Sequence, residues 1–177
     1  ITALKNAELA GAMCYEALRG TTKALDPRIH ANKHHEEQGS SADNLRRMLA
    51  GSNICENHVN DKVQDAYVMR CMPHIHGAAK KLVKEAYEVI VDEMHSVSDN
   101  PEIFAEGEND GVALMSGNFD GSFVGAHADM ISMACAIIGK VVERGTDRMV
   151  NRNLNDGLPA FLVSNPGLNS GFMIPQY

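Results

Sequence analysis

The stretch PHIHGAAKKLVKEAYEVI, residues 73–90, decides the fold. Pro73 suits a first helical turn, where its missing N–H costs nothing. Ile75, Leu82 and Val89 recur every seven residues, beside Ala79 with Ala86 and Val83 with Ile90, which draws a narrow apolar stripe along one face. A second such pattern runs from about Phe123 to Met149, with Val124, Ile131 and Ile138 seven apart and Ala128, Cys135 and Val142 adjoining. Two long helices with Ala-rich seams need helical partners from the same or another chain. Working toward the start, Leu4, Ala7, Ala10, Cys14 and Leu18 predict a helix over residues 2–18 that stops at Gly20, and Leu45, Met48 and Leu49 predict another over 41–50 that stops at Gly51. Residues 21–35 and 52–62 read as connections, and 96–122 and 151–177 as long irregular loops, the usual place for chemistry. The expected fold is mainly α, a long-helix bundle over residues 1–177 without a separate second domain.

Composition agrees. Of 177 residues, 44% are hydrophobic but only 5% aromatic, with ten Met and no Trp, which suits close helix packing. The net charge of −7 disfavours nucleic acid or an anionic membrane as a partner. No apolar run approaches the roughly eighteen residues that a membrane span needs. Cys14, Cys55, Cys71 and Cys135 are scattered without a Cys-x-x-Cys pair, which favours free thiols in a reducing cytoplasm. The chain opens at Ile1 inside a helical pattern and closes at Tyr177 after an apolar stretch, so it reads as an interior piece of a longer protein.

Few motifs carry chemistry. His34-His35-Glu36-Glu37 offers four metal-ligand types in a row, but adjacent residues do not converge on one ion, and a solvated patch is the better reading. His74-x-His76 points to two sides of a helix and reads as surface; no metal is expected. No phosphate-cradling loop, nucleophile elbow or dinucleotide fingerprint occurs. Gln64, Tyr67 and Arg70 differ: spaced by three, they share a face if the segment is helical. An amide, a phenol and a guanidinium suit an amino-acid substrate. The same three would also serve as a polar cluster held by internal hydrogen bonds.

The order of motifs narrows the choice. Residues 63–71, then Ser96-Val97-Ser98-Asp99-Asn100-Pro101, Ser116-Gly117-Asn118-Phe119, Leu158-Pro159-Ala160-Phe161-Leu162 and residues 167–174, together with Asp26-Pro27-Arg28-Ile29-His30, resemble the aromatic amino-acid ammonia-lyase and aminomutase family, on its histidine ammonia-lyase branch. The resemblance covers essentially the whole chain. It implies an all-helical, fumarase/aspartase-like fold, a cytoplasmic homotetramer, and elimination of ammonia from L-histidine to trans-urocanate by the intact protein. It also implies no external cofactor, only a methylidene-imidazolone electrophile formed from an Ala-Ser-Gly that does not occur in residues 1–177, so that this piece by itself would be inactive. By the same resemblance Gln64 and Tyr67 lie near the electrophile and the substrate amine, and Arg70 holds the carboxylate. Phe119 packs beside the electrophile and substrate, and Asn118 braces its loop. Phenylalanine or tyrosine ammonia-lyase, or an aminomutase, is the alternative within the family. A non-catalytic helical assembly unit is the alternative outside it.

Overall fold

The computed structural model describes residues 1–106 and 110–177. Its elements are α1 (Thr2–Ala17), α2 (Pro27–Ala31), α3 (Glu36–Met48), α4 (Asn53–Asn57), α5 (Tyr67–Arg70), α6 (Met72–Met94), β1 (Glu102–Glu106), β2 (Asp110–Leu114), α7 (Ser122–Val150) and α8 (Met173–Gln176). The four predicted helices are present as α1, α3, α6 and α7. Their contacts gather into two compact units, one of residues 1–81 with 134–177 and one of residues 82–133.

In the first unit the core is built from Tyr15, Leu18, Leu25, Leu45, Leu49, Met69, Met72 and Val141. The buried side of α1 carries Glu8, Gly11, Ala12, Cys14 and Tyr15, so a carboxylate sits in a stripe that apolar spacing alone would not include. Glu8 is paired there: Oε1 forms an ion pair with Lys80 Nζ of α6 at 2.6 Å, and Oε2 accepts from Asn44 Nδ2 of α3 at 2.7 Å. Burial pushes its carboxyl up, but the Lys80 and Asn44 contacts outweigh this and leave it below its ordinary value. Gly20 does not supply the left-handed turn after α1. Arg19 does, at φ 50°, and Gly20 instead makes room for Tyr15, whose ring carbon would lie 2.8 Å from an added Cβ.

The expected connection over residues 21–35 is more ordered than its composition implies. Thr21 and Asp26 cap two short helical turns through their side chains, and Pro27 starts α2. α3 begins at Glu36, five residues earlier than its apolar pattern, with Glu36 and Glu37 in the first turn where the helix dipole favours them. His76 corrects the surface reading of its pair. It is buried, with Nδ1 lacking a partner, because it shares the covered face of α6 with the buried Met72, Pro73 and Ala79.

In the second unit, β1 and β2 form an antiparallel hairpin, with Glu102 opposite Leu114 and Phe104 opposite Val112, inside a stretch whose Gly, Asn and Asp suggested only loop. The buried positions of α7 are Ala134, Val141, Gly145 and Val150, whereas Val124 and Val142 of the expected seam are exposed. α7 also departs from the expectation about membrane-length segments. One eighteen-residue window has mean hydropathy 1.4, long and apolar enough to cross a membrane by length and composition, and 6% of it is buried. Single polar residues such as Asp129 and Ser132 interrupt the apolar run without lowering the average much.

Candidate functional site

Gln64, Tyr67 and Arg70 lie at the junction leading into α6. Ala66 is extended at ψ 153°, so α5 is a single turn that begins at Tyr67. Tyr67 and Arg70 therefore share a helical turn, while Gln64 stands in a bend before it and not on the same helical face. The turn is anchored from within. Val68 and Met69 are buried, and the Tyr15 hydroxyl donates to the Met69 carbonyl at 2.5 Å. Tyr67, 69% exposed, points away from that anchor.

Asp65, which sequence reading passed over, is the second anchor. Its carboxylate is buried and Oδ2 accepts from the Thr21 backbone N–H at 2.7 Å. Its own carbonyl accepts from Arg70 Nε at 2.9 Å. Among the described residues no other hydrogen bond or ion pair engages the Arg70 guanidinium. Nearby, Lys62 Nζ bridges the Leu18 carbonyl at 3.2 Å and Asp156 Oδ2 at 2.6 Å, closing the lead-in against the segment after α7. No residue type or spacing in 63–71 marks Asp65, because its burial and its Thr21 partner are invisible in a single sequence.

Beside Tyr67 is a cleft of about 510 Å³ lined by Val68, Ile75, Ile137, Lys140, Val141 and Arg144 along with Tyr67 itself. Its walls are mainly apolar and its polar groups are one phenol and two cations. Such a surface accepts a small ligand with an apolar part and a negative group. Arg144 is itself engaged by Glu143 and lies 3.4 Å from Asp147, and Glu143 also accepts from Gln176 Nε2 at 2.5 Å.

Asn118 and Phe119 occupy a loop of the second unit. Asn118 Nδ2 donates to Glu102 Oε1 of β1 at 2.7 Å. Asp120 Oδ1 accepts from Ser122 N at 3.0 Å and caps α7, and these hydrogen bonds from Ser122 hold the Asp120 carboxyl below its usual range. Phe119 is 63% exposed. A polar depression of about 510 Å³, lined by Glu93, Ser96, Glu102, Asn118, Asp120 and Phe123 among others, adjoins the loop. The structure thus brings Tyr67 and Arg70 onto one turn and Asn118 and Phe119 onto one loop.

Among the described residues no group of three His, Cys, Asp or Glu side chains is arranged to hold a metal. His34, His35 and Glu36 are exposed where α3 starts. All four cysteines are free, and burial pushes the Cys14 thiol up to about 11, which keeps it protonated and unreactive.

A family model described as aromatic amino acid lyase matches residues 2–177. The chain belongs to that family. Among curated relatives, the histidine ammonia-lyase of Treponema denticola is 41% identical over 174 residues, 98% of this chain and 34% of its own length. That of Alkaliphilus oremlandii is 44% identical over 173 residues, 98% of this chain and 33% of its own length. Solved relatives share the fold. Histidine ammonia-lyase from Trypanosoma cruzi has a TM-score of 0.85 at 36% identity, covering 98% of this chain and 31% of that one. Tyrosine aminomutase from Streptomyces globisporus has a TM-score of 0.87 at 30% identity, covering 98% and 36%. The chain spans about a third of the length of the curated relatives it matches. Family and all-helical lyase fold therefore agree with the resemblance carried by the motifs.

Proposed function

We propose that the full-length protein is a histidine ammonia-lyase that converts L-histidine to trans-urocanate and ammonia. The observation that carries this is the identity of 41–44% over nearly the whole chain to proteins of that name, joined to an Arg70 guanidinium whose one described hydrogen bond is through Nε. In the reaction the Cα–N bond breaks, a β-proton leaves and a carbon–carbon double bond forms. Arg70 would take the substrate carboxylate in a two-pronged hydrogen bond and so fix the Cα–Cβ bond in one orientation. Gln64 and Tyr67 would lie near the leaving amine, where a phenol can exchange a proton. Phe119 would pack against the substrate side chain, with Asn118 bracing the loop.

The family's methylidene-imidazolone supplies an electrophile made from Ala-Ser-Gly. Residues 1–177 contain no such triplet. The nearest, Met115-Ser116-Gly117, is committed to its loop, where Ser116 Oγ accepts from Asn118 N at 3.4 Å. On this reading the stretch does not itself form the group, and its residues would supply binding, orientation and the Tyr67 phenol for proton exchange. The electrophile is expected from an upstream Ala-Ser-Gly of the same reading frame.

The apolar and largely exposed α7 supports packing against further copies, in line with a homotetramer, and the full-length protein should sediment as one. Mass analysis of the full reading frame, with an assay for urocanate, tests the proposal. An intact Ala-Ser-Gly with urocanate formed from L-histidine supports it, and an intact triplet without that product contradicts it. A second reading, an aminomutase, is favoured by the 0.87 TM-score to tyrosine aminomutase, and a β-amino acid among the products would select it.

A further inference from the structure

Asp65 has a geometry that its surroundings do not require. It is 3% exposed, yet its Oδ1 has no hydrogen-bond partner, and Oδ2 has one, the Thr21 N–H at 2.7 Å. A buried carboxylate satisfied on one oxygen is costly. It sits in the two-residue gap between the exposed Gln64 and the start of α5, so nothing in the regular structure of α5 demands it. What the residue does is tie two things together. Its side chain is fastened to Thr21, itself buried and engaged through Oγ1 with Lys23 N. Its carbonyl holds Arg70 Nε at 2.9 Å. A guanidinium held through Nε keeps Nη1 and Nη2 for one further partner, and a planar fork so fixed matches a carboxylate.

We propose that Asp65 is a positioning residue which, clamped to the Thr21 amide, holds Arg70 by its Nε so that the other guanidinium nitrogens meet the carboxylate of an amino-acid substrate. This role rests on the carboxylate-binding role proposed for Arg70. The surroundings support a carboxylate under constraint: burial pushes the Asp65 carboxyl above its ordinary range, offset in part by the Thr21 amide, Lys62 and Arg148 and reinforced by Asp156. A residue serving only to fill space would not be a half-satisfied buried acid.

The test uses the full-length protein with kcat and KM measured for L-histidine, L-phenylalanine and L-tyrosine in wild type, Asp65→Asn, Asp65→Ser, Asp65→Ala, Arg70→Ala and the double Asp65→Ala/Arg70→Ala. Asn keeps an oxygen at the reach of the Thr21 amide and should stay within about threefold of wild type. Ser falls short of that amide, and Ser and Ala should lose roughly tenfold to a hundredfold in kcat/KM, largely through KM. In the Arg70→Ala background the Asp65→Ala change should add less than about twofold, because the group it positions is gone. Losses that multiply in the double variant, or an Ala variant equal to wild type, overturn the role. If Asp65→Ala does not fold by circular dichroism, the contrast of Asn with Ser decides on the same terms. Turnover of phenylalanine or tyrosine without histidine removes the histidine assignment while the same variants, read on that substrate, still decide Asp65. Wild-type protein inert toward all three removes the carboxylate anchor and the role of Asp65 with it.

Discussion

Tyr15 of α1 donates its hydroxyl to the carbonyl of Met69 at 2.5 Å, with both residues fully buried, so the first helix directly holds the turn that presents Tyr67 and Arg70. Removing the hydroxyl leaves a buried carbonyl without a donor. Tyr15→Phe should cost about 1–3 kcal/mol in urea unfolding of the full-length protein. It should also lower turnover more than a substitution of equal stability cost elsewhere in the core.

Two glycines of neighbouring helices should respond to Ala with opposite signs. At Gly77 of α6 an added Cβ would lie 2.6 Å from the backbone of Gln38 in α3, which has no side-chain freedom to yield. The helix-propensity gain of about 1 kcal/mol is then outweighed by overpacking, and Gly77→Ala should be destabilised by about 1–3 kcal/mol net. Gly39 of α3 has open space at the same position, and Gly39→Ala should be stabilised by up to about 1 kcal/mol. Denaturant midpoints of the two variants against wild type check both signs.

Much of this was legible beforehand. The periodicity of residues 73–90 and 123–149 located α6 and α7, and Gly51, at φ 75°, ends α3 as its position implied. The hairpin of β1 and β2 was not legible, because its strands are short and mostly exposed and lack an alternating buried face. The burial of Glu8 and Asp65 was missed for one shared reason. A buried polar residue is stabilised by partners distant in sequence, Lys80 and Asn44 for Glu8 and Thr21 for Asp65, and spacing along the chain carries no record of them. In the candidate site, residue types announced Tyr67 and Arg70, but the extended backbone at Ala66 that separates Gln64 from their turn is a tertiary outcome.

The Glu8–Lys80 pair joins α1 to α6 at 2.6 Å, with Glu8 2% exposed as a residue. Lys80→Ala should cost about 3 kcal/mol, since it strands a buried charge. Replacing both partners with Leu and Met should recover much of the loss. A single variant as stable as wild type by chemical denaturation would contradict the pairing.

Three histidines set an acid limit. His30 is buried in its neutral form, with Nε2–H donating to the Ala24 carbonyl at 3.1 Å and Nδ1 accepting from Gln38 Nε2 at 2.9 Å, and its ring lies 5.6 Å from that of His74. Burial lowers the proton affinity of His30, His74 and His76 below their ordinary value, aided by Arg46 at His30, by His30 and Lys33 at His74, and by Lys80 at His76. The folded state then binds fewer protons than the unfolded one, so stability rises with pH through this window and is lost as pH falls below about 6.5. Asp65, with a raised value, acts oppositely, but its window begins near about 3.9, lower on the scale. Melting temperature should fall between neutral pH and pH of about 5.5, and His76→Gln should flatten the fall.

The turn of Tyr67 and Arg70 is proposed to serve a lyase acting on histidine. The most direct measurement is product analysis after incubating the purified full-length protein with equal concentrations of L-histidine, L-phenylalanine and L-tyrosine, beside an Arg70→Ala variant. Wild type should give trans-urocanate and ammonia in equal amounts with little or no cinnamate or coumarate, and the variant a urocanate rate at least about a hundredfold lower. Cinnamate or coumarate as the main product, a β-amino acid, or undiminished urocanate from Arg70→Ala would contradict it.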